Sequence, residues 1–238
     1  MSKGDFLNVI SNLSKYHREH EKFYGQVPLK TAMEIQNTSK TLKTLADKWS
    51  NIEHIEKQNG NPYMGCEDIN EDATIQHDGL LFMEGEGEPT EITQLKRNLN
   101  NIGEDFEKSG IWLSKAMENS WNAAAQLIKI PSLEDVLGER HRIIINDWQA
   151  ANLSSLVAKL IKRSLLLLNE IDFNPSSIRA DIKSQKRYPD LLYSSSELLD
   201  RAADLSSEFA LLVHDNERRW RVFHNTVQRI QSKMATQK

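Results

Sequence analysis

The longest regular pattern in the chain is a row of apolar and small residues that runs from Ile92 to Ile130, with members alternately three and four residues apart. This is the spacing of a coiled-coil seam, so it predicts one continuous helix with a single face turned towards other helices. At ~1.5 Å per residue the helix would be roughly 60 Å long, and Pro131 would end it. The row consists of Ile92, Leu95, Leu99, Ile102, Phe106, Ser109, Leu113, Ala116, Ser120, Ala123, Leu127 and Ile130. Only other long helices can cover such a face, so an all-α fold is expected.

Similar spacings predict further helices on both sides of this one. The hydrophobic fraction of 39% and the 10 glycines and 6 prolines in 238 residues suit long amphipathic helices. We expect a single domain over residues 1–238, an antiparallel bundle of about five to six helices. The predicted helices cover about 5–24, 28–56, 92–130, 137–171 and 175–186, with a last helix that begins near Ser194, after Pro189.

Apolar residues outside the seam also follow Ile111, among them Trp112, Met117 and Trp121. They widen the apolar face of the predicted helix. The second half of this helix is therefore expected to be more deeply enclosed than the first.

One segment, residues 57–89, has no helical periodicity and is rich in glycine. Between Glu56 and Glu91 the chain carries ten acidic residues and a single lysine, whereas the net charge of the whole chain is only -4. We expect a long acidic loop here. The end of the chain beyond Asn216 is basic in compensation, with Arg218, Arg219 and Arg221 close together.

The sequence favours a cytoplasmic protein without a membrane partner. The longest apolar run, Leu165 to Leu168, is far shorter than the ~20 residues that span a bilayer. The first residues do not have the pattern of a secretory signal, and a single cysteine, Cys66, suits a reducing compartment.

A candidate metal site lies on the first predicted helix, where His17, His20 and Glu21 share one face. Glu139 and His214 on other helices are possible further ligands. Inward-facing histidines and carboxylates of this kind resemble those of ferritin-like di-iron bundles, which implies iron, manganese or zinc and an oxidoreductase. The chain departs from that family because the Glu-x-x-His motif does not occur in it.

A candidate nuclease motif lies near the C-terminus, where four residues separate Arg219 from His224. This Arg-x4-His pattern resembles the core motif of the HEPN superfamily of helical ribonucleases. The resemblance implies that Arg219 and His224 are catalytic and cleave RNA without a metal, as a pair that is usually doubled by dimerisation.

Polar residues also interrupt the apolar faces of two predicted helices. Asn216 and Arg219 lie between Leu212 and Phe223, and Arg142, Asn146 and Asn152 lie in the first half of the helix over 137–171. We expect these residues to form a buried polar layer that sets the helix register or lines a pocket. Arg219 should be partly buried and paired with a carboxylate of a neighbouring helix, either Glu139 or Glu21.

The leading functional hypothesis is a non-catalytic helical-bundle protein that acts by macromolecular interaction, with a protein partner or a second copy of itself. A metal-binding bundle oxidoreductase and a HEPN-like ribonuclease are the alternatives. Whether the chain is an enzyme is left open by the sequence. The net charge of -4 does not favour nucleic acid as the partner.

Overall fold

The computed structural model describes residues 31–58, 88–127, 134–173 and 187–236, together with isolated positions between 8 and 22. Within these residues the regular secondary structure is entirely α-helical, which confirms the predicted fold class. Four helices are described: α1 (Thr31–Gln58), α2 (Thr90–Leu127), α3 (Glu134–Asn169) and α4 (Tyr188–Thr236). This is fewer than the expected five to six. The helix predicted over 175–186 and most of the one over 5–24 lie outside the described residues, as does most of the acidic loop over 57–89.

The last helix begins at Tyr188, so its predicted start near Ser194 is wrong. Pro189 occupies the first turn of α4, where its missing N–H costs nothing because first-turn amides have no partner within the helix. Ser195 and Ser196, which directly follow the predicted start, are fully buried in the interior of α4. None of the helices in the described ranges has a stretch that is long and apolar enough to cross a membrane.

The chain divides into two compact units, and α2, α3 and α4 each contribute residues to both. Unit 1 comprises Met1–Ala32, Gly103–Lys159 and Asp204–Lys238. Unit 2 comprises Met33–Ile102 and Leu160–Ala203. The prediction of a single domain stays a prediction.

Unit 2 is built around α1, whose buried residues follow the predicted spacing. Leu42, Leu45 and Trp49 are all buried there. The ring of Trp49 packs against Phe173 and Tyr188, with centroids 5.9 and 5.6 Å apart. Since Trp49 meets the start of α4 while Lys43 pairs with Asp200 further along it, α1 and α4 run antiparallel in this unit.

Buried serines allow close helix contact in unit 2. Ser39 donates to the carbonyl of Ser196 over 2.9 Å, and the hydroxyls of Ser164 and Ser195 are 2.6 Å apart. Each of these hydroxyls therefore has a partner inside the core, which offsets its lost hydration.

Unit 1 contains the second half of α2, the first half of α3 and most of α4. The rings of Phe106 and Phe209, both fully buried, meet edge to face at 5.4 Å. α2 and α3 approach closely at Gly110, where an added Cβ would lie 3.4 Å from the carbonyl oxygen of Ala151. One turn away, Ser154 donates a hydrogen bond to the carbonyl of Phe106, so the two helices run antiparallel.

The seam of α2 is confirmed over its described part. Seven of its first eight members are buried and Leu95 is half-buried. The seven are Ile92, Leu99, Ile102, Phe106, Ser109, Leu113 and Ala116.

Shortening a seam residue in either unit should destabilise the chain strongly. Leu99→Ala in unit 2 and Phe106→Ala in unit 1 should each cost about 2 to 5 kcal/mol, because both side chains are fully buried and each leaves a cavity. Leu211→Ala, at an exposed position of α4, is the control and should cost less than about 0.5 kcal/mol. Urea unfolding followed by circular dichroism measures all three, and losses at Leu99 and Phe106 as small as the control's would contradict the seam.

Candidate functional site

The metal-site residues predicted from sequence are not brought together in the described structure. His17, His20 and Glu21 lie outside the described residues, and Glu139 lies in the part of α3 where only the backbone is described. His214 is exposed on α4, and its Nδ1 is 4.0 Å from a carboxylate oxygen of Glu217 on the same helix. Among the residues that the structure describes, no three metal-ligating side chains cluster. The metal site therefore stays a prediction.

The two residues of the predicted nuclease motif lie on α4 in unit 1 but point in different directions. Five positions along an α-helix correspond to a rotation of about 140°, so Arg219 and His224 do not share a face. The ring Nε2 of His224 is 2.7 Å from the side-chain nitrogen of Gln228. Arg219 Nε donates to Asp215 over 2.7 Å. The nuclease hypothesis likewise stays a prediction.

The structure describes part of the environment expected for Arg219. Its side chain is 23% exposed, in line with the predicted partial burial. It pairs with the carboxylate of Asp215, one turn back on its own helix. The side chains of Glu139 and Glu21 lie outside the described part of the structure, so the expected pairing with either of them stays a prediction. The register of α4 buries Trp220 and leaves Arg219 at the edge of the core.

A polar layer does lie between α3 and α4 in unit 1, although its members differ from those expected. Asn216 and Asp147 are both fully buried. The Asn216 amide nitrogen donates to a carboxylate oxygen of Asp147 over 2.8 Å and to the carbonyl of Ile143 over 3.0 Å. Asn146 donates to Asp215 over 3.3 Å, whereas Arg142 and Asn152 are exposed on α3.

Asp215 joins this layer to the basic side chains of α4. It accepts hydrogen bonds from Arg219 and Arg218 as well as from Asn146. The hydrogen bond from Arg219 lowers the pKa of Asp215 against an opposing effect of burial, and Arg218 lowers it further. Arg221 pairs with Glu217 in the same way. The basic residues of this segment are thus paired with acidic residues of the same helix.

The most distinctive surface of unit 1 is apolar. Trp121 on α2 is 61% exposed and Trp148 on α3 is 56% exposed. The expectation that the second half of α2 is more enclosed than the first is therefore wrong, because Ile111 is exposed as well. Its buried face is the narrow seam through Leu113 and Ala116, whereas Trp112 and Met117 beside that seam are only half-buried.

The two exposed tryptophans belong to one groove between α2 and α3, which we term the tryptophan groove. It is open to solvent and has a volume of about 510 Å³. Met117, Glu118 and Trp121 of α2 and His141, Ile144, Ile145 and Trp148 of α3 line it. Five of these seven side chains are apolar, and the carboxylate of Glu118 and the imidazole of His141 belong to opposite walls.

Such a groove is suited to binding. Exposed apolar surface is costly in water, and a partner that covers it gains about 25 cal/mol for each Å² removed from solvent. Tryptophan is also the residue type most enriched among the side chains that dominate binding energy. The sequence carried a partial signal of this groove, because Ile143, Ile144 and Ile145 are consecutive and a helix cannot bury three consecutive side chains on one face.

Comparison of the chain with protein-family models, with curated proteins and with solved structures gives no match. The candidate site therefore stands on its geometry.

The pairing of Asp215 with Arg219 and Arg218 predicts that the stability of the fold depends on pH. The pKa of Asp215 is lower in the folded chain than the ~3.9 of an unfolded aspartate. The ionised carboxylate therefore stabilises the fold fully at pH values above the unfolded pKa. The stabilisation is lost as the pH falls through the lowered pKa. Asp215→Asn should therefore melt at a lower temperature than the wild type at pH 7, and the difference should close as the pH falls through the lowered pKa of Asp215. Asp204→Asn, at an exposed position of α4, is the control, and a difference that does not change with pH would refute the pairing.

Proposed function

We propose that this chain is a non-catalytic interaction protein and that the tryptophan groove is the surface through which it binds a macromolecule. The observation that carries the proposal is the exposure of Trp121 and Trp148 on the two sides of one apolar groove. Two large aromatic side chains left more than half exposed lose the free energy that their burial would provide. A partner that covers the two tryptophans recovers this free energy.

The spacing of the exposed apolar residues along the groove supports a macromolecular partner. Two antiparallel helices with exposed apolar residues at helical spacing form the type of surface into which an amphipathic helix packs. On α3 the row Ile145, Trp148 and Leu156 is exposed in this way, with Asn152 between the last two. These positions follow one another at intervals of three or four residues, which is the spacing of a helix-packing face.

The sequence supports the further parts of the proposal, which are the fold of the whole chain, its location and the class of its partner. We take the chain to act as one antiparallel helical bundle in the cytoplasm, with protein rather than nucleic acid as its partner. The single Cys66 and the net charge of -4 support these two assignments. The pairing of Arg218, Arg219 and Arg221 with acidic residues of α4 also favours protein, since their charge is offset locally.

Site-specific photo-cross-linking tests the proposal. Ile145→benzoylphenylalanine places a photoreactive group in the groove, and Leu211→benzoylphenylalanine places it on α4 at a residue that is 73% exposed. After irradiation of cells that produce the full chain, the groove position should yield discrete adducts of higher mass and the control position should not. The absence of adducts at Ile145, or equal adducts at both positions, would refute the proposal.

A further inference from the structure

We infer that the tryptophan groove binds the same groove of a second copy of this chain, so that the chain forms a two-fold dimer. This inference rests on the function proposed above and names the partner. A closed dimer of this kind buries the same surface on both copies, so the surface must be complementary to itself in shape, charge and area.

The shape meets this requirement. The groove provides a concavity of about 510 Å³, and Trp121 and Trp148 provide exposed side chains on its two helices. The volume is within the range of about 300 to 1,000 Å³ that ligand-sized groups fill. An indole from the second copy therefore has space in the groove, and each copy both inserts a side chain and receives one.

The two polar residues of the groove are arranged as the dimer requires. A two-fold axis parallel to the helices places α2 of one copy against α3 of the other. In the antiparallel register set by Phe106 with Ser154 and by Gly110 with Ala151, Glu118 lies close to the level of Ile143. His141 is two residues from that level, a distance of about 3 Å along the helix. Each copy therefore presents the carboxylate of Glu118 to the imidazole of His141 in the other copy, twice per dimer.

The exposed apolar area is close to what a stable dimer uses. With aromatic side chains of about 150 to 250 Å² each, the exposed parts of the large apolar residues of α2 and α3 that belong to unit 1 amount to roughly 500 Å² per copy. These residues are Ile111, Trp121, Ile145, Trp148 and Leu156. A standard interface buries about 800 Å² per partner, and about 65% of a homodimer interface is apolar, which corresponds to the same area.

The apolar part of the acidic segment of the same chain is too short to be the occupant. Phe82, the aromatic residue of its Leu-Leu-Phe-Met stretch, lies eight residues before Thr90 and so reaches at most about 28 Å from the start of α2. Trp121 lies about 46 Å along α2 from Thr90. A second copy has no such restriction.

Sedimentation analysis of the full chain over a range of concentrations tests the dimer. The wild type should change from monomer to dimer as the concentration rises. Trp121→Ser combined with Trp148→Ser should weaken dimerisation at least about 100-fold, since the interface loses its central aromatic anchors on both copies. Leu211→Ser, which removes an equally exposed apolar side chain from α4, should dimerise like the wild type. Both variants should keep the melting temperature of the monomer, because the altered side chains are exposed. A monomeric wild type, or a dimer that persists in the double variant, would overturn the inference.

Cysteine pairing tests the geometry. In a Cys66→Ser background, Glu118→Cys on one tagged copy and His141→Cys on a differently tagged copy should form a mixed disulfide on mild oxidation. A mixture that yields no mixed disulfide would overturn the two-fold arrangement, even if the protein is dimeric.

The experiments distinguish a failure of the dimer from a failure of the interaction function. If the wild type is monomeric and the groove cross-links to another protein, the dimer is overturned and the interaction function stands. A cross-link from Ile145 to another part of the same molecule, without an increase in mass, overturns both.

Discussion

The structure depends on how much of each helix circumference can be buried at once. An α-helix in a bundle turns one stripe towards its neighbours, and apolar residues beyond that stripe face water unless another chain covers them. In unit 1, α2 buries Leu113 and Ala116 and exposes Trp121, which lies outside their stripe. In α3 the same rule buries Ile143 and Ile144 and exposes Ile145. The tryptophan groove is formed by such apolar residues, which lie outside the buried stripes of two adjacent helices.

The buried faces are not uniformly apolar, and their polar members fix how the helices meet. Asn216 of α4 bonds both to Asp147 and to the backbone of Ile143 on α3, so a shift of one helix along the other would break two hydrogen bonds in a buried environment. Such a shift costs more than the bonds themselves contribute, because the separated groups remain without water. In unit 2, the hydrogen bond between the hydroxyls of Ser164 and Ser195 opposes a shift of α3 along α4 in the same way. The groove itself depends on the register of α2 against α3, which Ser154 with Phe106 and Gly110 with Ala151 set in unit 1.

The sequence predicted the features that depend on periodicity alone. The seam of α2 and the buried row of α1 were found from their spacing, because alternation of three and four residues has a single helical interpretation. The predicted start of α4 near Ser194 is wrong because Pro189 does not separate two helices; it lies in the first turn of α4, where proline is favourable. Periodicity places Arg219 towards the core, but it does not indicate the bond to Asp215 one turn back on the same helix. The groove was missed because periodicity shows which residues are apolar but not how many neighbouring helices exist to cover them.

Trp121 and Trp148 are exposed in the single chain, and we propose that they become covered when it associates. Fluorine NMR of the chain labelled with 5-fluorotryptophan tests this directly. Three of the five signals are assigned by Trp121→Phe, Trp148→Phe and Trp112→Phe, and the remaining two belong to Trp49 and Trp220. In dilute protein, a soluble paramagnetic agent should broaden the signals of Trp121 and Trp148 most and those of the buried Trp49 and Trp220 least. As the concentration rises, the first two signals should become protected while the others do not change. Signals of Trp121 and Trp148 that are protected at every concentration, or equally broadened at every concentration, would contradict the account.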